Sequence, residues 1–403
     1  MKRKEMIILV LLAALNFTHI LDFMIMMPLG NYLMPFFNIS TRQFSFLVAA
    51  YTVSAAVSGF LAAFFVDGYD RKKILLFGYS GFLLGTIACG FAPGYYWLLV
   101  FRLVAGTFGG LIGAQVLAMV SDLFGYERRA RAMGAIMSAF AIASTFGVPF
   151  SLYLANAISW HAPFLFVGIL GIIIIPLIHF YIPPMDAHVK EQTGGFNAKW
   201  QILRKVLHTP MERRALLFSG LIMVGHFLII PFINPFMEFN MGYSKSYTPM
   251  IYLVGGIASF ASANILGWIA DKYGKLRVFM ASVGLSLFMV YGVTHLTPMP
   301  FSIVLVLFGL WFVLSTGRAV TAQAMISNVV PPEERGSFMS FNSSVQQMGT
   351  SIAAVVAGAV VLKGSDGKLI HYDWLGYLSI LVLLIAALLA YVIFGKKKVD
   401  AAS

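Results

Sequence analysis

The chain has 403 residues, of which 59% are hydrophobic and only 11% charged, with a formal net charge of +12. Soluble domains carry about a quarter charged residues, and a chain this apolar could not hide its hydrophobic surface in water, so the composition excludes a soluble protein and points to an integral membrane one. The single cysteine, Cys89, rules out an intrachain disulfide and sits in an apolar run as a small core residue.

The N-terminal MKRKEMIILVLLAAL opens with basic residues and turns apolar, as a secretory signal does. The apolar run continues to Phe37 without a small-residue cleavage pattern, which marks a retained first transmembrane helix. Apolar stretches able to cross about 30 Å of hydrocarbon then recur along the chain. The predicted spans are 6–36, 44–66, 74–92, 96–121, 133–157, 163–182, 215–237, 248–270, 278–296, 301–325, 338–362 and 373–394. One long polar interruption, 183–214, separates six spans from six, and its WQILRKVL portion predicts a short helix at the membrane surface. The expected organisation is a bundle over 1–182, a cytoplasmic linker over 183–214 and a second bundle over 215–403.

Basic residues orient such a chain, because Lys and Arg accumulate in cytoplasmic loops. With the N-terminus inside, 22 of the 28 fall in cytoplasmic segments, and four, Arg42, Lys245, Lys363 and Lys368, fall outside. Arg102 and Arg318 lie within spans. This distribution predicts two cytoplasmic termini. It also accounts for the net charge without a nucleic-acid partner.

The two halves repeat. VDGYDRKKILLFG at 66–78 corresponds to ADKYGKLRVFMAS at 270–282, offset by 204 residues. His19 and Pro28 correspond to His226 and Pro235, offset by 207, and Glu127-Arg128-Arg129 corresponds to Glu333-Glu334-Arg335, offset by 206. A six-helix unit duplicated in parallel places two bundles around an axis along the membrane normal, with a cavity between them near the midplane.

These residues resemble the major facilitator superfamily over essentially the whole chain. Its signature between the second and third helices, Gly-x-x-x-Asp-(Arg/Lys)-x-Gly-(Arg/Lys)-(Arg/Lys), is similar to Gly267, Asp271, Lys272, Gly274 and Lys275, with Arg277 just beyond. The first half keeps Asp67, Arg71 and Lys72 but departs at Ala63, Gly68 and Asp70. FRLVAGTFGG matches the family's Arg-x-x-x-Gly pattern through Arg102 and Gly106. GVPFSLYLANAISWHAPF, 147–164, resembles the glycine–proline motif of the drug:proton antiporter branch, in the form of its arabinose-efflux-permease-like members, through Gly147 and Pro149. The glycine expected after that proline is replaced by Phe150 and Ser151. The resemblance implies an all-α fold of twelve transmembrane helices in two bundles and a monomer in a bacterial inner membrane. It also implies transport driven by a proton gradient without a bound cofactor.

Asp22, in THILDFMIMMPLG, is the first candidate for proton coupling. Ionisable residues within spans are rare and face a cavity or a partner. On a continuous helix, Thr18, Asp22, Met26, His19 and Asn16 fall on an arc about 160° wide, the pattern of a cavity-lining face. The other reading is an acid held by an arginine or a backbone group and never titrating. His19, one turn away, could relay the proton or simply pack as a hydrogen-bonded residue. The resemblance gives Arg102 a coupling role beside an acid; a helix-tying salt bridge is the alternative. The expected substrate cavity comprises Asn16, Thr18, Phe23, Met26, His226, Asn234, Arg318 and Gln323. Arg318, in STGRAVTAQ, either lines that path or bridges helices. With one central acid against two arginines, the cavity favours a neutral or anionic substrate.

The resemblance assigns Asp67, Arg71 and Lys72, and Asp271, Lys272, Gly274 and Arg277, to conformational latches between cytoplasmic helix ends. The lysines could instead serve topology alone. Gly147 and Pro149 are expected to bend the fifth span. No metal-ligand spacing, Walker loop or GxSxG is present, which argues against an enzyme or an ATP-driven pump, and two asymmetric bundles argue against a channel. The leading reading is a secondary transporter working by alternating access, coupled to protons and exporting a small amphipathic molecule such as a drug-like compound, sugar or metabolite. An uptake symporter or facilitative uniporter is the rival.

Overall fold

A computed structural model of the chain describes residues 3–124, 126–186, 196–331 and 335–395. The regular structure of the described residues is helical apart from one hairpin of two two-residue strands. Eleven helical segments are long and apolar enough to cross a membrane. The eleventh predicted span, 338–362, has the length but not the hydropathy. It forms a 26-residue helix, Arg335–Val360, whose sequence RGSFMSFNSSVQQMGTSIAAVVAGAV carries serines, glutamines and an asparagine.

The described chain divides into two compact units, Met1–Ile39 with Ala50–Gln201, and Ser40–Ala49 with Ile202–Ser403. In the first unit the elements are α1 (Arg3–Ile25), α2 (Gly30–Phe37), most of α3 (Thr41–Phe65), α4 (Arg71–Cys89), α5 (Tyr95–Leu123), α6 (Tyr126–Ile142), α7 (Val148–Ala157) and α8 (Ala162–Tyr181). The predicted span 6–36 is not one helix. It breaks in a turn over 26–29, at Pro28, which has no N–H to donate and whose ring crowds the preceding turn. Met26 therefore lies outside α1, and the wheel that placed it on the polar arc does not apply to it. A second interruption, a π-helical turn over Ala143–Gly147, precedes Pro149 and separates α6 from α7. Leu12, Leu15, Tyr79, Phe82, Ile112, Val116 and Met119 are fully buried at the centre of this unit.

The linker helix predicted around WQILRKVL is present as α9 (Phe196–His208). The second unit then contains α10 (Pro210–Phe227), α11 (Ile233–Phe239), α12 (Thr248–Tyr273), α13 (Lys275–Thr294), α14 (Phe301–Ile326), α15 (Arg335–Val360) and α16 (Tyr372–Phe394). The seventh span, like the first, is broken, here by a 3-10 turn Ile230–Phe232 that contains Pro231. Phe218, Phe279 and Phe394 pack edge to face with centroids 5.3 and 5.9 Å apart. The hairpin pairs Leu362 with Ile370. The Asn240 amide brackets it, donating to the Leu369 carbonyl at 2.8 Å and accepting the Leu369 N–H at 2.9 Å.

Candidate functional site

Asp22 on α1 meets Arg102 on α5. Arg102 Nη1 donates to Asp22 Oδ2 at 2.7 Å, and the two side chains are 1% and 0% exposed. The guanidinium also lies over the Tyr51 ring of α3, 4.5 Å from its centroid, a cation–π contact that the low-dielectric interior strengthens. A glycine permits this geometry. A Cβ at Gly106, one turn beyond Arg102, would stand 2.2 Å from Ser54 Oγ and 2.3 Å from the Tyr51 carbonyl oxygen. Only glycine lets α5 approach α3 closely enough for Tyr51 to reach the charge. Asp22 Oδ1 and Arg102 Nε are buried without a well-formed hydrogen bond, although the Thr86 hydroxyl neighbours the carboxyl, so a single bond joins the two charges. A buried pair is secure when the remaining lone pairs and protons are satisfied; this one is not.

His19 stacks its edge against Phe82 at 5.6 Å and tilts over Tyr51 at 6.3 Å. Its ring nitrogens make no side-chain hydrogen bond, and the ring lies beside the Gly109 backbone. Phe23 lies 6.0 Å from Tyr51. The remaining polar groups of the α1 arc are spent between helices rather than along an open wall: Asn16 donates to the Ile136 carbonyl at 3.2 Å, and Thr18 shares a 2.8 Å hydrogen bond with Tyr79. Asn16, Thr18 and Met26 are all buried. The arc was legible in the sequence, but it is divided among α4, α5 and α6. Gly147 lies against α1 beside the acid, since a Cβ there would be 2.8 Å from Leu21 Cδ1.

The loops that follow α3 and α12 carry their assigned residues in different ways. The side chain of Asp67 lies outside the described residues, as do those of Glu127, Arg128 and Arg129 and all of Glu333 and Glu334. Arg71 Nε pairs with Asp122 at 2.5 Å, and Lys72 Nζ donates to the His179 carbonyl at 2.7 Å. Asp70, which departs from the family signature, caps α4 by accepting the Lys72 N–H at 2.8 Å and also accepts the Met185 N–H at 3.1 Å. In the second unit Asp271 is largely exposed and meets Lys275 only at 4.0 Å. Lys272 lies over Trp268 and Tyr273, Gly274 opens α13 with φ +98°, and Arg277 is exposed.

Three sequence candidates of the second unit are on α10 and α14. His226 shares a 2.9 Å hydrogen bond through Nδ1 with Ser315 Oγ and stacks on Trp311 with centroids 5.1 Å apart. Arg318 is buried, and Gln323 accepts from Gln346 Nε2 at 3.3 Å. Asn234 is fully buried in α11. Sequence reasoning missed Tyr51, Ser315, Trp311 and Gln346. Tyr51 could have been found from the spacing that makes Gly106 face it; one hydroxyl or ring among many offered no comparable signal.

The Major Facilitator Superfamily model matches residues 12–319 and again 306–402. The chain belongs to that superfamily. It is therefore a multi-pass membrane transporter of a small-molecule substrate, working by alternating access, and not an enzyme. It is 22% identical over 340 residues to the uncharacterized MFS-type transporter YceJ of Bacillus subtilis (strain 168), covering 84% of this chain and 85% of that protein. It is 23% identical over 241 residues to the putative transporter AraJ of Escherichia coli (strain K12), covering 60% of this chain and 59% of that one. AraJ agrees with the arabinose-efflux-permease-like resemblance. Among solved structures, a bacterial homologue of the human lysosomal transporter Spinster superposes with a TM-score of 0.75 at 16% identity, covering 98% of this chain and 97% of that one.

Proposed function

We propose that this transporter couples substrate movement to protons through the Asp22–Arg102 pair, exporting a small amphipathic molecule from the cytoplasm in exchange for protons. The observation that carries this reading is a buried ion pair held by one 2.7 Å bond, with an oxygen and a nitrogen left unsatisfied. A proton taken up by the Asp22 carboxyl removes the charge that holds Arg102, which remains ionised under all physiological conditions. The bond between α1 and α5 then falls from a charge-assisted one to a neutral one, while the guanidinium keeps its contact with the Tyr51 ring. Deprotonation restores the charge-assisted bond. Two discrete arrangements of the same helices are what alternating access needs. His19, one turn from Asp22 and without a side-chain hydrogen-bond partner, is placed to pass the proton. The export direction rests on the Gly147–Pro149 motif, and the positive-inside distribution supports cytoplasmic termini in a bacterial inner membrane. The working unit is a monomer, with no cofactor beyond the proton gradient.

Proteoliposomes under an imposed pH gradient test the coupling, with a library of drug-like compounds, sugars and metabolites. Wild type is expected to concentrate substrate against a gradient of protons moving the other way. Asp22→Asn is expected to lose gradient-driven transport. The double variant Asp22→Asn with Arg102→Gln removes both charges and guards against a folding defect; it is expected to exchange substrate without responding to pH. Gradient-driven transport surviving in either variant removes Asp22 from the mechanism. Substrate moving with protons rather than against them replaces export by uptake symport.

A further inference from the structure

The second unit buries a positive charge that none of its described residues neutralises. Arg318 is 2% exposed. Its Nε and Nη1, which carry most of the guanidinium's N–H donors, are buried without partners. No ion pair joins it to any described residue. An arginine cannot escape by losing its proton, and a lone buried charge is strongly unfavourable unless an anion meets it. Packing does not demand the residue. At the offset of 206 that relates α5 to α14, Arg318 corresponds to Ile112, a fully buried apolar residue of the first unit.

The surroundings are those of a recognition site. Trp311, Ser315 and Arg318 follow at helical spacing along one face of α14. His226 from α10 is fixed to that face by its hydrogen bond to Ser315 and its stacking on Trp311. Seven residues before His226 on α10, Ser219 accepts from Gln346 Nε2 of α15 at 3.0 Å. His226 and Gln346 are partly exposed and Gln323 is exposed, so neutral polar side chains of α10, α14 and α15 reach the surface of the unit that buries Arg318. Arg318 is the sole ionisable residue of α14, which matches one anionic group and not a polyanion.

We infer that Arg318 anchors the anionic group of the transported molecule, and that the substrate is an organic acid with one carboxylate or similar oxyanion. The acid accepts charge-assisted hydrogen bonds from the guanidinium while its apolar body lies along the His226 ring. The inference rests on the chain being a solute transporter and not on the coupling role of Asp22, so the two readings stand or fall separately.

The test is an equilibrium measurement with no pH gradient. The purified full chain in detergent is titrated with benzoate, 2-naphthoate and decanoate, each against its neutral primary amide, and with inorganic phosphate and phosphatidylglycerol vesicles. Melting temperature and tryptophan fluorescence are followed. At least one carboxylate is expected to stabilise wild type saturably while its amide does not. Arg318→Gln is expected to weaken that carboxylate about 10- to 100-fold, and Arg318→Lys to retain part of the affinity. Without ligand, Arg318→Gln is expected to melt no lower than wild type, because the chain supplies the charge with no partner. The inference is overturned if no carboxylate of the panel stabilises wild type, if the shift survives Arg318→Gln, or if phosphate or the anionic vesicles alone give an Arg318-dependent shift. A lower ligand-free melting temperature for Arg318→Gln also overturns it. Binding that fails while proton coupling holds in proteoliposomes removes this inference alone, and the converse removes the coupling reading alone.

Discussion

Each repeat buries one arginine on the same helix of the repeat, and the two are kept in opposite conditions. Arg102 lies seven residues after Tyr95 at the start of α5, with Asp22 at 2.7 Å and the Tyr51 ring beneath it. Arg318 lies 17 residues after Phe301 at the start of α14, without a carboxylate or ring partner among the described residues. Aligning the repeats sets Phe308 against Arg102, Ile112 against Arg318 and Ile229 against Asp22, and all three apolar residues are fully buried. Duplication kept the helices and placed charge at different depths in each copy. A charge paired within the chain can act as a switch, because a proton breaks the pair. A charge left unpaired by the chain is suited to a group that arrives from outside.

The largest expected effect separates these two conditions directly. Asp22→Asn leaves Arg102 buried and charged with no counter-ion, which costs about 3–5 kcal/mol. Arg102→Met strands the Asp22 carboxyl instead, and that group can relieve itself by taking up a proton, so the loss is smaller. Arg318→Met strands nothing. Thermal unfolding in detergent should therefore rank Asp22→Asn lowest, then Arg102→Met, then wild type, with Arg318→Met at or above it. Wild-type stability in Asp22→Asn would show that Asp22 is not the counter-ion, and the contrast between the repeats would collapse.

A second difference concerns how each repeat packs the corresponding pair of helices. Tyr51 of α3 corresponds to Gly255 of α12, and Gly106 of α5 corresponds to Phe312 of α14. The first unit puts the ring on α3 and the glycine on α5; the second reverses them. A Cβ at Gly106 would meet backbone, 2.3 Å from the Tyr51 carbonyl oxygen and 2.8 Å from its Cα. A Cβ at Gly255 would meet the Phe312 ring, 2.3 Å from Cδ2. Backbone of a packed helix cannot step aside, whereas a ring can rotate. Gly106→Ala is expected to cost about 1–3 kcal/mol and to lower gradient-driven transport by drawing Tyr51 away from Arg102. Gly255→Ala is expected to cost less, with transport retained. Equal losses in unfolding experiments would mean that the approach of α5 to α3 has no special part in holding the ion pair.

Much of this was legible in the residues themselves. Spans, the linker helix and the duplication follow from hydropathy and spacing, because the bilayer imposes length and apolarity on whatever crosses it. Asp22 and Arg102 stood out individually for the same reason. Their pairing did not, since residues 80 apart in sequence meet only through the packing of α1 on α5. Helical periodicity gathered Asn16, Thr18 and Asp22 onto one arc but could not say that three different helices divide that arc. Pro28 was visible, and its effect on Met26 was lost by treating 6–36 as one continuous helix. Arg318 could be recognised as buried from its span; that it lacks a partner among the described residues is a fact of three-dimensional packing alone.

The smallest effects lie where the corresponding loops hand over to helices. Asp70 and Gly274 occupy equivalent places, offset by 204, and start α4 and α13 by different means. Asp70 supplies an acceptor, taking the N–H groups of Lys72 and Met185. Gly274 supplies a backbone at φ +98°, with no side-chain cap, a conformation that a Cβ disfavours. Asp70→Ala removes the cap at a cost of about 1 kcal/mol, while Asp70→Asn keeps an oxygen in place and is expected to change stability by less than about 0.5 kcal/mol. Gly274→Ala is expected to cost about 1 kcal/mol through strain alone. Hydrogen exchange distinguishes the two causes. Asp70→Ala should expose the Lys72 and Met185 amides to faster exchange with the rest of α4 unaffected, whereas Gly274→Ala should loosen the first turn of α13 as a whole. Unchanged protection at Lys72 in Asp70→Ala would mean that the departure from the family signature at position 70 does not cap the helix, and that the two repeats begin their third spans in the same way after all.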